Sequence, residues 1–518
     1  MKRIIVGIFI VLYSFALLYG DSSDWMELNK QVLQLVQERK YEQALPLAEE
    51  VFKIAEETVG DSDAITVSSI KNLGIIYQNL NRYQEAESCF QRVIAIREKN
   101  LGLDHPEVAE AMENLALFYY NLSRYSEAES LFRRTLTIRE KSLGENHSEV
   151  AITLSNLAAT YDNLGRYPEA ETSARRALDI LEANPEAKPK EVAEGIATLA
   201  GIYLSLYRYP EAESLYLKAL TIQESQPEVD SFQIAYLLNN LALSYCGHSE
   251  YKQAEALYQR ALIIFRRVYG PDHPEVATCL INLSQIQLER GHYTSAESLF
   301  QQALDIKIRF LGDNHPDVAI CLNNLGNVYS IQGRYTEAQD CYSRALKIRD
   351  NNYGFSHPRT ADSYSFLGDI YKLQGRYAEA VSLYLSALEI HTTVFGAAHP
   401  NVAQCLLDLA RTYQHIPEKK AQVEPLYRQA LDISQNYYKG NHEAIVQNLN
   451  SLGTFYLVQK RYADAEPLFD QARIFIERIY GLDNLKLASI ISNQAFIYEN
   501  QGCLSEAESL YVKALAMK

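Results

Sequence analysis

The stretch NRYQEAE occupies residues 81–87 and recurs along the chain with the same arginine, tyrosine, alanine and glutamate positions. The next copies are SRYSEAE (123–129) and GRYPEAE (165–171), and each tyrosine lies 42 residues after the one before. The tyrosines of this register are Tyr41, Tyr83, Tyr125, Tyr167, Tyr209, Tyr251, Tyr293, Tyr335 and Tyr377, followed after a step of 43 by Lys420 and then by Tyr462 and Leu504. A fixed period of this length is typical of proteins whose units stack on their neighbours. We therefore predict twelve repeats after residue 24.

Each repeat contains two segments with apolar residues at helical spacing. In residues 316–353 the first segment starts its apolar series at Val318 and the second at Ala338. Gly326 and Ala338 place small residues where the two helices would cross closely, and Gly333 fits the left-handed position that ends a helix. No period-two strand pattern occurs. The sequence predicts an all-α fold, a right-handed α-solenoid superhelix of about twelve helix pairs.

These positions resemble the tetratricopeptide repeat in a form of 42 residues. The residues that carry the resemblance in this copy are Leu325, Gly326, Tyr329, Ala338, Tyr342 and Ala345. The resemblance extends over about residues 25–518, and the units are similar to those of the kinesin light chain repeat domain. Kinesin light chains carry a long heptad region before their repeats, which binds the heavy chain. Here only residues 21–24 separate the predicted signal from the repeat helices, so the resemblance does not include that region.

Composition and charge exclude several classes of function. Apolar residues make up 47% and charged residues 22% of the chain, as in ordinary folded proteins, and the net charge is -16. An acidic chain without a basic stripe disfavours nucleic acid and anionic membrane surfaces as partners. GxSxG, GxGxxG, HExxH and phosphate-loop motifs do not occur. We predict a protein that is not an enzyme and uses no cofactor.

The first twenty residues, MKRIIVGIFIVLYSFALLYG, differ from the repeats that follow. Lys2 and Arg3 precede an apolar run of sixteen residues from Ile4 to Tyr19, which is the order of a secretory signal. We expect residues 1–20 to be cleaved and the remaining chain, 21–518, to be exported to a periplasm or secreted. The alternatives are an uncleaved N-terminal anchor or a cytoplasmic protein. No other stretch is apolar and long enough to span a membrane.

Histidines recur in a single register, and most of them precede proline. The register contains His105, His147, His273, His315, His357, His399 and His442. Each lies just before a predicted first helix, so we expect it to be the N-cap, with proline at the first helical position. Equivalent residues of stacked helix pairs are too far apart to share a metal ion, which disfavours ligation and proton transfer. Where the slot holds Asp63, Pro189 or Ser231, we expect a repeat that loses its cap and keeps its fold.

Cysteines and the one irregular turn complete the structural expectations. Cys279, Cys321 and Cys405 share one register, which predicts a buried packing position and no metal site. Residues 413–425 contain the single inserted residue and Pro417 between two helices. We predict that the curvature of the solenoid changes there.

An asparagine register in the first helices is the candidate binding site. In tetratricopeptide repeats an asparagine just before the Leu-Ala or Leu-Gly pair faces the concave wall, where it can bind the backbone of an extended peptide. The candidate groove residues are Asn72, Asn114, Asn156, Asn240, Asn282 and Asn324, with Asn79, Asn121 and Asn163 seven positions after the first three. The alternative is that these amides only satisfy polar groups of neighbouring repeats.

The sequence therefore favours a non-catalytic scaffold that binds protein or peptide partners in its groove. The alternative is an intracellular cargo adaptor in the manner of kinesin light chains. The partner and the oligomeric state are left open, and no membrane contact is expected beyond the N-terminal segment.

Overall fold

The structure is a computed structural model. It describes residues 23–38, 40–226, 231–247, 250–440, 442–480 and 485–517. These residues form helices and turns, and there is no strand among them. The predicted signal at residues 1–20 lies outside the described residues.

Across the described parts of the chain, 24 helices follow one another in pairs, and we number them α1–α24. The first helices of the pairs are α1 (Ser23–Gln37), α3 (Ala64–Asn79), α5 (Pro106–Asn121), α7 (Ser148–Asn163), α9 (Pro189–Ser205), α11 (Ser231–Gly247), α13 (Pro274–Glu289), α15 (Pro316–Ile331), α17 (Pro358–Leu373), α19 (Pro400–Tyr413), α21 (Glu443–Val458) and α23 (Leu485–Asn500). The second helices are α2 (Tyr41–Val59), α4 (Tyr83–Leu101), α6 (Tyr125–Leu143), α8 (Tyr167–Ala183), α10 (Tyr209–Glu224), α12 (Tyr251–Tyr269), α14 (Tyr293–Leu311), α16 (Tyr335–Tyr353), α18 (Tyr377–Phe395), α20 (Lys420–Tyr438), α22 (Tyr462–Tyr480) and α24 (Leu504–Ala516). The predicted all-α solenoid of twelve helix pairs is confirmed.

Small residues let the two helices of a pair approach closely. Ala338 is fully buried, and a Cβ atom on Gly326 would lie 2.9 Å from the ring of Tyr342. The close contact of Gly326 is therefore with an aromatic ring one turn beyond Ala338. Gly333 has φ +76°, which confirms its predicted left-handed position after α15.

The seven register histidines are N-caps, as predicted. Each accepts a hydrogen bond at Nδ1 from the backbone N–H two residues later, over 3.1–3.2 Å. An accepting Nδ1 requires the neutral ring, which disfavours a proton-carrying role. One expectation was wrong: the repeat with Asp63 keeps its cap, because this carboxylate accepts from the N–H of Ile65. Pro189 and Ser231 are instead the first residues of their helices.

The recurring RYxEAE motif joins successive repeats. The guanidinium of Arg334 lies 4.1 Å from the ring centre of Tyr329 in the preceding helix. It donates to Glu297 of the preceding repeat at 2.9 Å and to Glu337 of its own helix at 2.8 Å. We call this arrangement the inter-repeat clasp. The arginines that stack on the equivalent tyrosine are Arg82, Arg124, Arg166, Arg208, Arg334, Arg376 and Arg461.

The remaining structural expectations have mixed outcomes. Cys279, Cys321 and Cys405 are buried free thiols, as predicted. The inserted residue coincides with a first helix, α19, of 14 residues and with a 3-10 turn at Pro417–Lys419. A change of curvature at 413–425 stays a prediction. No helix in the described part of the chain combines the length and hydropathy needed to cross a membrane.

The contacts divide the chain into two compact units, Met1–Ile202 and Tyr203–Lys518, which we call the first unit and the second unit. The second unit contains a contact between residues distant in sequence. The Tyr207 ring lies 5.0 Å from the ring of the N-cap His442, and Tyr209 stacks on Tyr480 at 6.0 Å. This contact brings the α9–α10 turn against α21 and α22.

Candidate peptide-binding face

The predicted asparagines all lie on first helices, and each keeps part of its surface accessible to solvent. Asn72, Asn114 and Asn156 of the first unit are half-buried, as are Asn240, Asn282 and Asn324 of the second unit, whereas Asn79, Asn121 and Asn163 are exposed. We call this surface, with the side chains three, four and seven positions away on the same helices, the first-helix face. Each unit has its own such face.

Three of the asparagines connect neighbouring first helices. Asn156 Nδ2 donates to Glu113 Oε1 at 3.1 Å, and Asn282 Nδ2 donates to Asn239 Oδ1 at 2.7 Å. Asn163 Nδ2 donates to the hydroxyl of Tyr120 at 2.9 Å. These bonds are the ones expected if the amides satisfy polar groups of the adjacent repeat.

Two other asparagines bond within their own helix. Asn114 Nδ2 donates to the carbonyl of Glu110 and Asn79 Nδ2 to that of Ile75, each four residues earlier. Such bonds leave the amide oxygen and one N–H of each side chain available.

The last group makes no hydrogen bond to any part of the chain that the structure describes. It consists of Asn72, Asn121, Asn240 and Asn324. A side-chain amide offers two donors and an acceptor oxygen with two lone pairs, which is the capacity an extended backbone requires. The register therefore contains asparagines that bond to the neighbouring repeat and asparagines whose amides are available to a peptide. The structural explanation fits the first group, and the peptide-binding explanation fits the second.

A buried carboxylate replaces the asparagine in α19. Asp408 is 6% exposed, accepts two hydrogen bonds from Gln404 and lies 3.5 Å from Arg411. Burial and the nearby charge of Asp369 raise the pKa of Asp408. Its local partners make it a structural element of α19 and disfavour a role in binding backbone.

A register of buried bases was not predicted from the sequence. Arg139, Lys307 and Arg349, near the ends of second helices, are each at most 7% exposed. Arg139 donates to both oxygens of Glu113 at 2.8–2.9 Å and to the hydroxyl of Thr153 at 2.7 Å. These three bases are separated by multiples of 42 residues, and that recurrence was the available signal. We call these positions, with Arg97 and the equivalent residues of other repeats, the buried-base register.

Three histidines of the second unit lie in buried or half-buried positions. Desolvation lowers the pKa of His391, His399 and His442 to about 4. His399 and His442 lie against aromatic rings, Phe395 at 4.4 Å and Tyr438 at 3.4 Å between ring centres. Neutral, stacked, capping rings are structural. Within the described residues, no group of three or more His, Cys, Asp or Glu side chains could hold a metal ion.

Tetratricopeptide repeat models match residues 66–107, 107–183, 192–262, 233–309, 293–351, 323–394, 359–436 and 443–518. The matches cover well over half of the chain, so the chain belongs to the tetratricopeptide repeat family. Arrays of this repeat are protein-interaction scaffolds, and this chain has the architecture of one. No curated protein matches the sequence.

Solved structures of similar fold come from several sources. BtubC (BKLC) from P. vanneervenii is 26% identical, with 45% of this chain and 91% of that chain covered and a TM-score of 0.37. A putative kinesin light chain from Podosopora anserina with nearly identical repeats is 21% identical over 40% of this chain and 98% of that one, at a TM-score of 0.35. A Rap protein complexed with competence and sporulation factor is 15% identical over 72% and 99%, at 0.48.

Proposed function

We propose that the protein is a non-catalytic scaffold that binds extended segments of partner proteins along the first-helix face of each unit. The observation that carries this proposal is the set of half-buried amides at Asn72, Asn240 and Asn324, whose hydrogen-bonding groups are not used by the chain described. Buried or half-buried polar groups lower their free energy when they are paired, so such amides favour a ligand that supplies backbone N–H and C=O groups.

Substitution of the asparagines without internal bonds should affect peptide binding without affecting folding. We expect Asn240→Ala with Asn324→Ala to reduce the affinity for extended peptides about tenfold while the free energy of unfolding changes by less than about 0.5 kcal/mol. The measurement is titration of peptides selected from a random displayed library on the wild-type protein, with chemical denaturation in parallel.

The matched controls are variants of two asparagines that do bond to a neighbouring repeat, Asn156 and Asn282. Asn282→Ala removes the bond to Asn239 and Asn156→Ala the bond to Glu113, so these variants should lose roughly 1 kcal/mol of stability. Unchanged peptide affinity in the Asn240 and Asn324 double variant would remove the basis of the proposal.

We further propose that the protein acts outside the cytoplasm, after removal of residues 1–20. The order of Lys2 and Arg3, the apolar run and the polar residues after Gly20 supports this. N-terminal sequencing of the natural protein should begin at Asp21. A natural chain that begins at Met1 would instead favour an anchored protein or an intracellular adaptor.

A further inference from the structure

One contact of the second unit joins repeats that are not neighbours. Tyr207, in the turn between α9 and α10, packs edge-on against the ring of His442 at 5.0 Å between ring centres and lies 6.4 Å from the ring of Tyr480. Tyr209 stacks on Tyr480 at 6.0 Å. In a solenoid each repeat ordinarily contacts only the repeats beside it, so the period does not explain this cluster. We call these four rings the aromatic contact.

Two departures from the repeat pattern accompany the aromatic contact. Tyr207 has φ +56°, a left-handed conformation that costs free energy for a bulky residue. The other left-handed residues in the described turns within helix pairs are glycines, Asn81, Ser123 and Lys460. Gly247 ends α11 at a point where a Cβ atom would overlap the ring of Tyr209. Strain of this kind persists where the surrounding structure requires it, and here it places an aromatic ring in the contact.

The first helices line the inner side of the second unit. Asn282 Nδ2 of α13 donates directly to Asn239 Oδ1 of α11 at 2.7 Å, and a second pair of asparagines joins α23 to α21 at 3.2 Å. The second helices α10 and α12 are instead bridged by the long side chains of Glu224 and Arg260. Because short side chains can meet only when their helices are close, the array curves with its first helices inside.

The aromatic contact joins the two edges of this curved array. Tyr207 lies in a turn within a helix pair, whereas His442 and Tyr480 adjoin the turns that precede and follow the α21–α22 pair. The repeats that carry Asn240 and Asn324 lie between the two sides of the contact along the chain. With the contact closed, these repeats form one turn whose inner face is reached from the ends of the turn and not through its wall.

We propose that the second unit takes the free end of a partner chain, because the closed aromatic contact excludes internal segments. A chain end can be threaded along the enclosed face, whereas a segment between two folded domains can enter only sideways, after the contact has opened. The exposed apolar side chains of this face, Tyr236 and Ile320, favour an unfolded tail with apolar residues. The inference rests on the proposed function, because the tail lies on the first-helix face.

Tyr207→Gly tests the aromatic contact without any peptide. Glycine adopts the left-handed turn without strain, so the variant should fold and lose only the contact. Backbone amides in the first two turns of α21 should then exchange with deuterium at least about threefold faster, because their local opening no longer separates packed rings. Ser123→Gly makes the same change at the equivalent turn of the first unit and should leave α21 unchanged. Equal exchange in Tyr207→Gly and the wild type overturns the inference.

The kind of partner is tested with a peptide selected from a random displayed library on the wild-type protein. The peptide is compared as a free tail on one folded domain and, with flexible glycine–serine spacers on both sides, as a linker between two domains of about 100 residues each. The wild type should bind the tail about tenfold more tightly, as expected if about one molecule in ten is open. Tyr207→Gly should strengthen linker binding at least about fivefold and leave tail binding unchanged. Equal affinities of the wild type for tail and linker overturn the inference.

Two further variants separate the possible causes of failure. Gly247→Ala should strengthen linker binding as Tyr207→Gly does, because the added methyl group displaces the ring of Tyr209 from the other side of the contact. Asn240→Ala with Asn324→Ala should weaken the binding of tail and linker alike. Tail binding that does not depend on these asparagines contradicts the proposed function and the inference together, whereas equal binding of tail and linker contradicts the inference alone.

Discussion

The first-helix faces of the two units are built on the same scaffold but differ in chemistry. In the first unit the face carries amides and carboxylates, including Asn121, Asn163 and Glu110, all of them exposed. In the second unit exposed apolar side chains stand between the amides: Tyr236, Leu243, Ile320 and Leu373, each 41–51% exposed. The inter-repeat clasp is nevertheless the same in both, since Arg124 and Arg334 each stack 4.1 Å from a tyrosine ring.

This difference separates positions that maintain the array from positions that determine its partners. The clasp and the caps recur in most repeats at the same position of the 42-residue period, because each makes the same local contacts wherever its residues are present. Side chains on the first-helix face bond to the neighbouring first helix only at some repeats, as at Asn156 and Asn282, and their residue types differ from repeat to repeat. The stability of a solenoid is approximately the sum of the stabilities of its repeats and of the interfaces between neighbours. Positions outside these interfaces can therefore differ between repeats without a loss of stability. We infer that the first unit favours segments with polar side chains and that the second unit favours segments with apolar side chains.

The largest expected effect concerns the buried-base register of the first unit. Arg139→Leu should reduce the free energy of unfolding by about 3–5 kcal/mol, because it removes the buried partner of the ion pair and leaves the half-buried Glu113 without its bidentate bonds. Amide hydrogen exchange of α5–α7 would measure the loss locally. Adding Glu113→Ser to Arg139→Leu reproduces the Leu181 and Ser155 pair of the next repeat. This double variant should recover part of the lost stability. Arg133→Ala, at a 63% exposed arginine, should change stability by less than about 0.5 kcal/mol.

Acidification should destabilise the second unit through its buried histidines. The pKa of His442 is about 4 when folded and 6.5 in the reference state, so the unfolded chain binds the proton first as the pH falls. The stabilising contribution is complete above pH ~6.5 and is lost as the pH falls towards ~4, a change of roughly 2 to 3 kcal/mol. His442→Asn keeps a capping side chain without this titration. Equal acid sensitivity of the variant and the wild type would contradict the assignment.

The inter-repeat clasp should contribute a smaller amount. Arg124→Ala removes the stacking on Tyr119 and the ion pairs with Glu87 at 2.7 Å and Glu127 at 2.8 Å. Because the side chain is partly exposed, we expect a loss of about 1 kcal/mol in chemical denaturation. Arg124→Lys retains the charge without the planar group, so it should recover only part of the stability. Full recovery would show that stacking geometry contributes nothing.

The smallest effect on stability is expected on the faces themselves. Ile320→Asn with Leu373→Asn should change the free energy of unfolding by less than about 0.5 kcal/mol, since both side chains are exposed. The same variant should no longer select peptides with apolar side chains from a displayed library. Asn121→Leu is the matched exchange in the first unit. If both exchanges alter the same set of selected peptides, the two faces do not differ in partner preference.

The fold was predictable because its determinants are local and periodic. Capping by His315, the left-handed Gly333 and the buried Ala338 follow from each residue's immediate neighbours, and the structure confirms them. The asparagine register stays a predicted binding site, and its division into amides that bond across repeats and amides that do not was not predicted. Whether an amide bonds across repeats depends on the residue 43 positions earlier: Glu113 accepts from Asn156, and Asn239 from Asn282.

The sequence by itself determined the number of repeats, the two helices of each and the caps that start them, because a 42-residue period and short-range capping need no tertiary information. The tertiary structure alone decided what RYxEAE does, which bases are buried and where a cavity opens. Each of these depends on side chains from three helices meeting at one point. Leu181 looks like an ordinary apolar residue in the sequence. Only the structure shows that it lines a cavity with Ser155, Glu191 and Gly195, which occupy the positions that surround Arg139 one repeat earlier.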